Sequence, residues 1–144
     1  GERCGVTLTT ELLNRFECYL LNTVSDGLDM VERVGHPRFQ IHYDTHHAHI
    51  EEQSPGAAIR AGAGAIGHVH ISENDRGVPG RGQVAWQVSF EALKEIQYEG
   101  WLVIEAFSRR DPAFANAIHV WRDYAPADEI WREGLNFIRR SWAS

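Results

Sequence analysis

The chain has 144 residues, 43% of them hydrophobic and 24% charged, with a formal net charge of −6. That length supports one modest domain with a hydrophobic core, and the composition excludes disorder and low complexity. Acids and bases are interspersed with acids in excess, a poor footprint for nucleic acid, and no apolar run approaches the roughly 20 residues of a membrane span.

In chain order, the opening GERCG reads as a loop or helix end. It carries no Met and no visible signal peptide, so a longer parent protein is expected. Cys4 and Cys18 match neither CxxC nor zinc-finger spacing and read as reduced, buried thiols of a cytoplasmic protein. Residues 6–13 (VTLTTELL) are rich in β-branched side chains and predict a strand. Residues 26–34 have helical spacing at Leu28, Val31 and Val34, with Gly35 as a stop. Residues 39–44 (FQIHYD) predict a second strand. His46, His47 and His49 then read as a solvated run in a loop. Ser54-Pro55 opens a helix, with Ser54 as cap and Pro55 at the first helical position.

Residues 65–71 (AIGHVHI) predict a third strand, followed by the turn-rich stretch SENDRGVPGRG. Residues 86–96 predict an amphipathic helix with Phe90, Leu93 and Ile96 on one face. Residues 101–107 (WLVIEAF) predict a fourth strand. Residues 113–124 and 126–142 predict two closing helices. Four strand–helix units at these spacings predict a parallel α/β fold, without sequence repeats.

Each predicted strand is mostly apolar yet carries one conspicuous polar residue near its C-terminal end: Glu11, Asp44, His70 and Glu105. They are separated by 33, 26 and 35 residues, about one strand–helix unit each. In parallel barrels that end of the strand is where chemistry sits. Two Glu, one Asp and one His make an oxygen-rich set that suits Mn²⁺, Mg²⁺ or Co²⁺ better than structural zinc. Each residue alone has another reading. Glu105, expected to be buried, could form a salt bridge; Asp44 could cap a turn; His70 could be a bonded core histidine; Glu11 could face solvent. By the period of two, His68 lies on the face of His70, and His42 on that of Asp44.

At these residues the sequence resembles the ketose 3-epimerases. The resemblance is carried by ELLNRFE (11–17), DTHHAHIEE (44–52), GHVHISENDRGVPGRG (67–82), VIEAF (103–107) and VWRD (120–123). It implies a TIM barrel of the xylose-isomerase type, of which this chain would be the C-terminal half, strands five to eight. It implies Glu11, Asp44, His70 and Glu105 as ligands of a divalent cation, with Mn²⁺ ahead of Mg²⁺ or Co²⁺. Glu11 and Glu105 would also serve as acid and base, and Glu17, His47 and Arg76 would contact substrate hydroxyls. The expected partners are a sugar substrate and either a second copy or an N-terminal half-barrel, with neither nucleic acid nor membrane. Ala106, His46 and His42 depart from the family pattern close to the sugar and leave its identity open.

The implied chemistry is removal of a proton next to a carbonyl by one glutamate and its return on the opposite face by the other. Alternatives on the same scaffold are an aldose–ketose isomerase, a 3-keto-glycoside lyase, an endonuclease IV-like nucleic-acid enzyme, and a half-barrel inactive by itself.

Overall fold

The apolar runs lie side by side in the computed structural model, which describes residues 1–144. Strands β1 (Leu8–Glu11), β2 (Phe39–Asp44), β3 (Ile66–Ile71) and β4 (Leu102–Ile104) form one parallel sheet in the order β1-β2-β3-β4. Helices α1 (Val24–Val34), α2 (Thr45–Glu51), α3 (Pro55–Ala61), α4 (Trp86–Glu95), α5 (Pro112–Ala117) and α6 (Ala127–Ala143) follow the strands in turn. Each strand pairs with its predecessor, so the sheet grows in one direction and its C-terminal strand ends form a single row. None of the helices is long and apolar enough to cross a membrane.

Strand alternation divides the sheet into two faces. Ile41, Tyr43, Val69 and Ile71, at most 1% exposed, lie in one hydrophobic core with Ile59 of α3 and Phe90 and Leu93 of α4. Burying such side chains stabilises the fold by roughly 1.5–3 kcal/mol each. The other face carries His42, Asp44, His68 and His70. α1 sits close because Gly27 has no side chain: a Cβ there would lie 2.9 Å from Leu12 Cδ2. Its N-terminus is fixed by a capping box between Thr23 and Asp26.

Several boundaries differ from the sequence expectation. β1 pairs only over Leu8–Glu11, because Val6 N turns back to Gly1 O. β4 ends at Ile104, and Glu105 follows the strand, though its N–H still donates to Ile71 O at 3.2 Å. The histidine run is not a solvated loop but helix α2, started by Asp44 Oδ1, which accepts from His46 N at 2.6 Å and His47 N at 3.1 Å. The helix expected over 113–124 stops at Ala117, and His119 takes a left-handed φ of 61°. Ser54 precedes α3 without a hydroxyl cap bond, so Pro55 marks that start. Cys4 is exposed and Cys18 partly so, not buried.

The stretch after β3 is organised by Glu73, which is fully buried. One carboxylate oxygen accepts from Asn74 N and Val84 N at 3.0 Å each; the other accepts from Gly80 N and Trp86 Nε1 at 2.8 Å each. Burial works to raise this carboxyl, but the four donors outweigh it and hold it below the usual range. Gly82 packs against the same group, where a Cβ would run into Asn74 and Glu73. Losing charge-assisted bonds in a buried site costs about 2 kcal/mol or more. Glu73→Gln should therefore lower the denaturation midpoint and speed amide exchange at Gly80 and Val84. An unchanged midpoint and unchanged exchange would contradict this account of the loop.

Candidate metal centre

The row of strand ends brings four side chains to one point. Glu11 Oε1, Asp44 Oδ2 and Glu105 Oε1 lie 3.6, 3.4 and 3.3 Å from His70 Nδ1. The four ligand-capable atoms all fall within 4.8 Å of one another. Three carboxylates at such spacing repel strongly unless a positive charge sits among them. Glu11 Oε1, Asp44 Oδ2 and His70 Nδ1 are buried and have no hydrogen-bond partner. Unpartnered buried polar atoms of this kind call for a ligand, and three oxygens with one imidazole nitrogen are a donor set for a hard or borderline divalent cation. The residues present fit such an ion.

Two of the alternative readings, Asp44 as a cap and Glu105 in a salt bridge, hold alongside this one, because these carboxylates divide their work between oxygens. Asp44 Oδ1 caps α2 while Oδ2 faces the centre. Glu105 Oε2 accepts from Arg76 Nη1 at 2.6 Å while Oε1 faces His70. Glu105 is about one quarter exposed rather than buried, since it follows β4 instead of lying within it.

Electrostatics follow from this crowding. Burial disfavours charge on His70, but Asp44, Glu105 and Glu11 overcome it and push the imidazole up to about 11. Burial likewise works to raise Asp44, yet His70 and Arg76 hold it well below the usual carboxylate range. Glu11 is also held low, mainly by His70 against the cost of burial. His42, only 8% exposed and next to this group, is pushed down to about 4 by burial and stays neutral at pH 7.

The three residues expected to contact substrate gather on one side. His47, fully buried on α2, accepts at Nδ1 from Asn14 N at 3.1 Å and is 2.8 Å from Asn14 Nδ2. Its Nε2 lies 3.3 Å from Arg76 Nη2 and 3.8 Å from Glu11 Oε1. Arg76 holds a left-handed φ of 62°, and its Nη1 also donates to Ser72 Oγ at 2.9 Å. Its guanidinium stacks 4.8 Å over the Phe107 ring. Glu17, largely exposed, accepts from Asn14 Nδ2 at 2.9 Å and lies 3.7 Å from Arg76. A cavity of 210 Å³ lined in part by Glu17, His46, Arg76 and Phe107 opens beside them. A larger groove around Arg109, Asp123 and Trp131 lies elsewhere and holds none of these residues.

Sequence reasoning missed Asn14, Ser72 and Glu73, which position His47, Arg76 and the loop carrying Arg76. The first lies inside the segment ELLNRFE and the others inside SEND, so their neighbours had drawn notice, but small polar residues carry no spacing signal.

The model of the xylose isomerase-like TIM barrel family matches residues 1–141. The chain belongs to that family. It is 46% identical over 130 residues to a D-psicose 3-epimerase of Ruminiclostridium cellulolyticum, covering 90% of this chain and 44% of that protein. It is 42% identical over 145 residues to an L-ribulose 3-epimerase of Mesorhizobium japonicum, covering 99% and 47%. A solved L-ribulose 3-epimerase superposes with a TM-score of 0.94 at 37% identity, covering 99% of this chain and 49% of that one. The chain spans about half the length of the curated relatives it matches.

Within this xylose isomerase-like unit, the three carboxylates push His70 up to about 11, so without a cation it holds a proton at pH 7 that an ion must displace. Mn²⁺ binding at pH 7 should release about one proton per ion and should strengthen as pH rises. Calorimetry in buffers of different ionisation enthalpy measures that number. Binding without proton release would contradict the assignment of His70 as a ligand.

Proposed function

We propose that the protein epimerises a free ketose at C3, with Glu11 and Glu105 as the acid/base pair. Glu11, Asp44, His70 and Glu105 would hold the divalent cation, Mn²⁺ ahead of Mg²⁺ or Co²⁺. One observation carries this reading: a glutamate at the end of β1 and another just after β4, the two outermost strands, converge on His70 Nδ1 at 3.6 and 3.3 Å. The relatives named for ketose epimerisation support the substrate class.

The hydrogen beside a ketone is a weak acid, and a positioned carboxylate near its own pKa is a competent base for it. The cation, when bound, would stabilise negative charge developing on the substrate oxygens. One glutamate removes the proton from one face, and the other returns a proton to the opposite face, which inverts that carbon. Arg76 holds one oxygen of Glu105 and so orients the carboxylate with the other toward the centre. Asn14 orients the His47 ring through Nδ1, which turns Nε2 toward Arg76 and Glu11, where a substrate hydroxyl would meet it. Glu17 and Arg76 offer an acceptor and donors for further hydroxyls of the sugar chain.

The chain would be the C-terminal half of one barrel domain. Both outer strands have a free edge, an association hazard in an isolated sheet. Trp101, 78% exposed, and Val103, 37% exposed, alternate with Glu105 on the side of the sheet that carries the site. Four further strand–helix units, or failing them a second copy, would cover that face. In light scattering the isolated 144-residue chain should self-associate or fail to fold. A stable, well-folded monomer would refute this part of the reading.

The activity test uses the full-length protein with ketohexoses and Mn²⁺ in deuterated water. Deuterium should enter at C3 together with the C3 epimer, and Glu105→Gln should slow both by roughly 10²–10⁴-fold. Aldose product would shift the reading to an isomerase. Neither exchange nor epimer, or full activity in Glu105→Gln, would overturn it.

A further inference from the structure

Beside the carboxylate centre stands a second group of potential ligands that the proposed reaction does not use. His42 on β2 and His68 and His70 on β3 share the functional face of the sheet, with His42 paired to His68 and Asp44 to His70 in the strand register. Their rings meet edge to face, with centroids 4.8 Å apart for His42 and His68, 4.0 Å for His42 and His70, and 5.2 Å for His68 and His70. One nitrogen from each lies within 4.8 Å of the other two.

Aromatic packing alone does not account for this cluster. His42 Nε2 is buried and without a hydrogen-bond partner, in a ring whose side chain is 10% exposed. A purely structural histidine there would have satisfied that atom. His68 is only partly buried.

We propose that His42, His68 and His70 form a second cation site, selective for borderline, imidazole-preferring ions such as Cu²⁺ or Zn²⁺. Three imidazoles, with Glu11 Oε1 3.9 Å from His42 Nε2, make a nitrogen-rich set that favours those ions, whereas the quartet of three oxygens and one nitrogen favours Mn²⁺ or Mg²⁺. The sites share His70, so the two classes of ion compete for one ring. The inference stands on the imidazole geometry and does not depend on the epimerase reading.

The test is electron paramagnetic resonance of one equivalent of Cu²⁺ added to the full-length protein, with Mn²⁺ affinity measured in parallel. The wild type should show hyperfine coupling to three imidazole nitrogens. His68→Gln, at a partly exposed position, should lose one of those nitrogens and weaken Cu²⁺ at least tenfold, with Mn²⁺ affinity within twofold of wild type. Glu105→Gln should do the reverse, weakening Mn²⁺ while the three-nitrogen copper signal persists. A wild-type copper spectrum with a single nitrogen would overturn the proposal, as would a spectrum unchanged by both His68→Gln and His42→Gln. Failure of Mn²⁺ to bind would count against the quartet alone and leave the imidazole result interpretable.

Discussion

Three carboxylates held around one imidazole nitrogen are the constraint on which the rest of the structure depends. Glu11, Asp44 and Glu105 place an oxygen 3.3–3.6 Å from His70 Nδ1, largely out of water. Like charges at this distance persist only if a positive charge is supplied and the carboxylates are held against their own repulsion. The protein does the holding by giving single oxygens to other work: Asp44 Oδ1 to the α2 N-terminus, Glu105 Oε2 to Arg76. What remains free points inward. The same bonds that stabilise local structure therefore define the donor set, which is why removing an anchor should disturb the centre as well as the fold.

The parallel sheet makes this arrangement available. Every strand ends on the same edge, so one residue per strand can reach a common point. The supporting bonds lie one step further out. Asn14 fixes the orientation of the His47 ring. Ser72 and Phe107 fix the guanidinium of Arg76, whose backbone is held at a positive φ. Glu73 gathers the loop in which Arg76 sits. Pre-organisation of this kind matters for proton transfer, which depends steeply on the distance between base and carbon.

Much of this could be read from the chain itself. The strand–helix rhythm was legible because apolar runs and turn residues report directly on burial and chain reversal. The four converging residues were legible because their spacing matches one structural unit each, and a parallel sheet turns equal spacing into proximity. Legibility failed where a tertiary contact overrides a local signal. The histidine run at 46–49 looked like a solvated loop, but Asp44 caps it into a helix and buries His47. Glu105 looked like an interior strand residue, but β4 stops one position before it. Cys4 looked buried by residue type and is exposed. The roles of Asn14 and Glu73 depend on partners many residues away and leave no periodic trace.

The account stands on one physical claim, that the inward-facing atoms of Glu11, Asp44, His70 and Glu105 together bind a divalent cation. Anomalous diffraction from crystals of the full-length protein grown with Mn²⁺ tests it directly. The account expects one anomalous peak between these four atoms, about 2.0–2.4 Å from each, with Asp44 still capping α2 and Arg76 still on Glu105. A centre without a manganese peak, with His70 remaining paired to its three carboxylates, would contradict it.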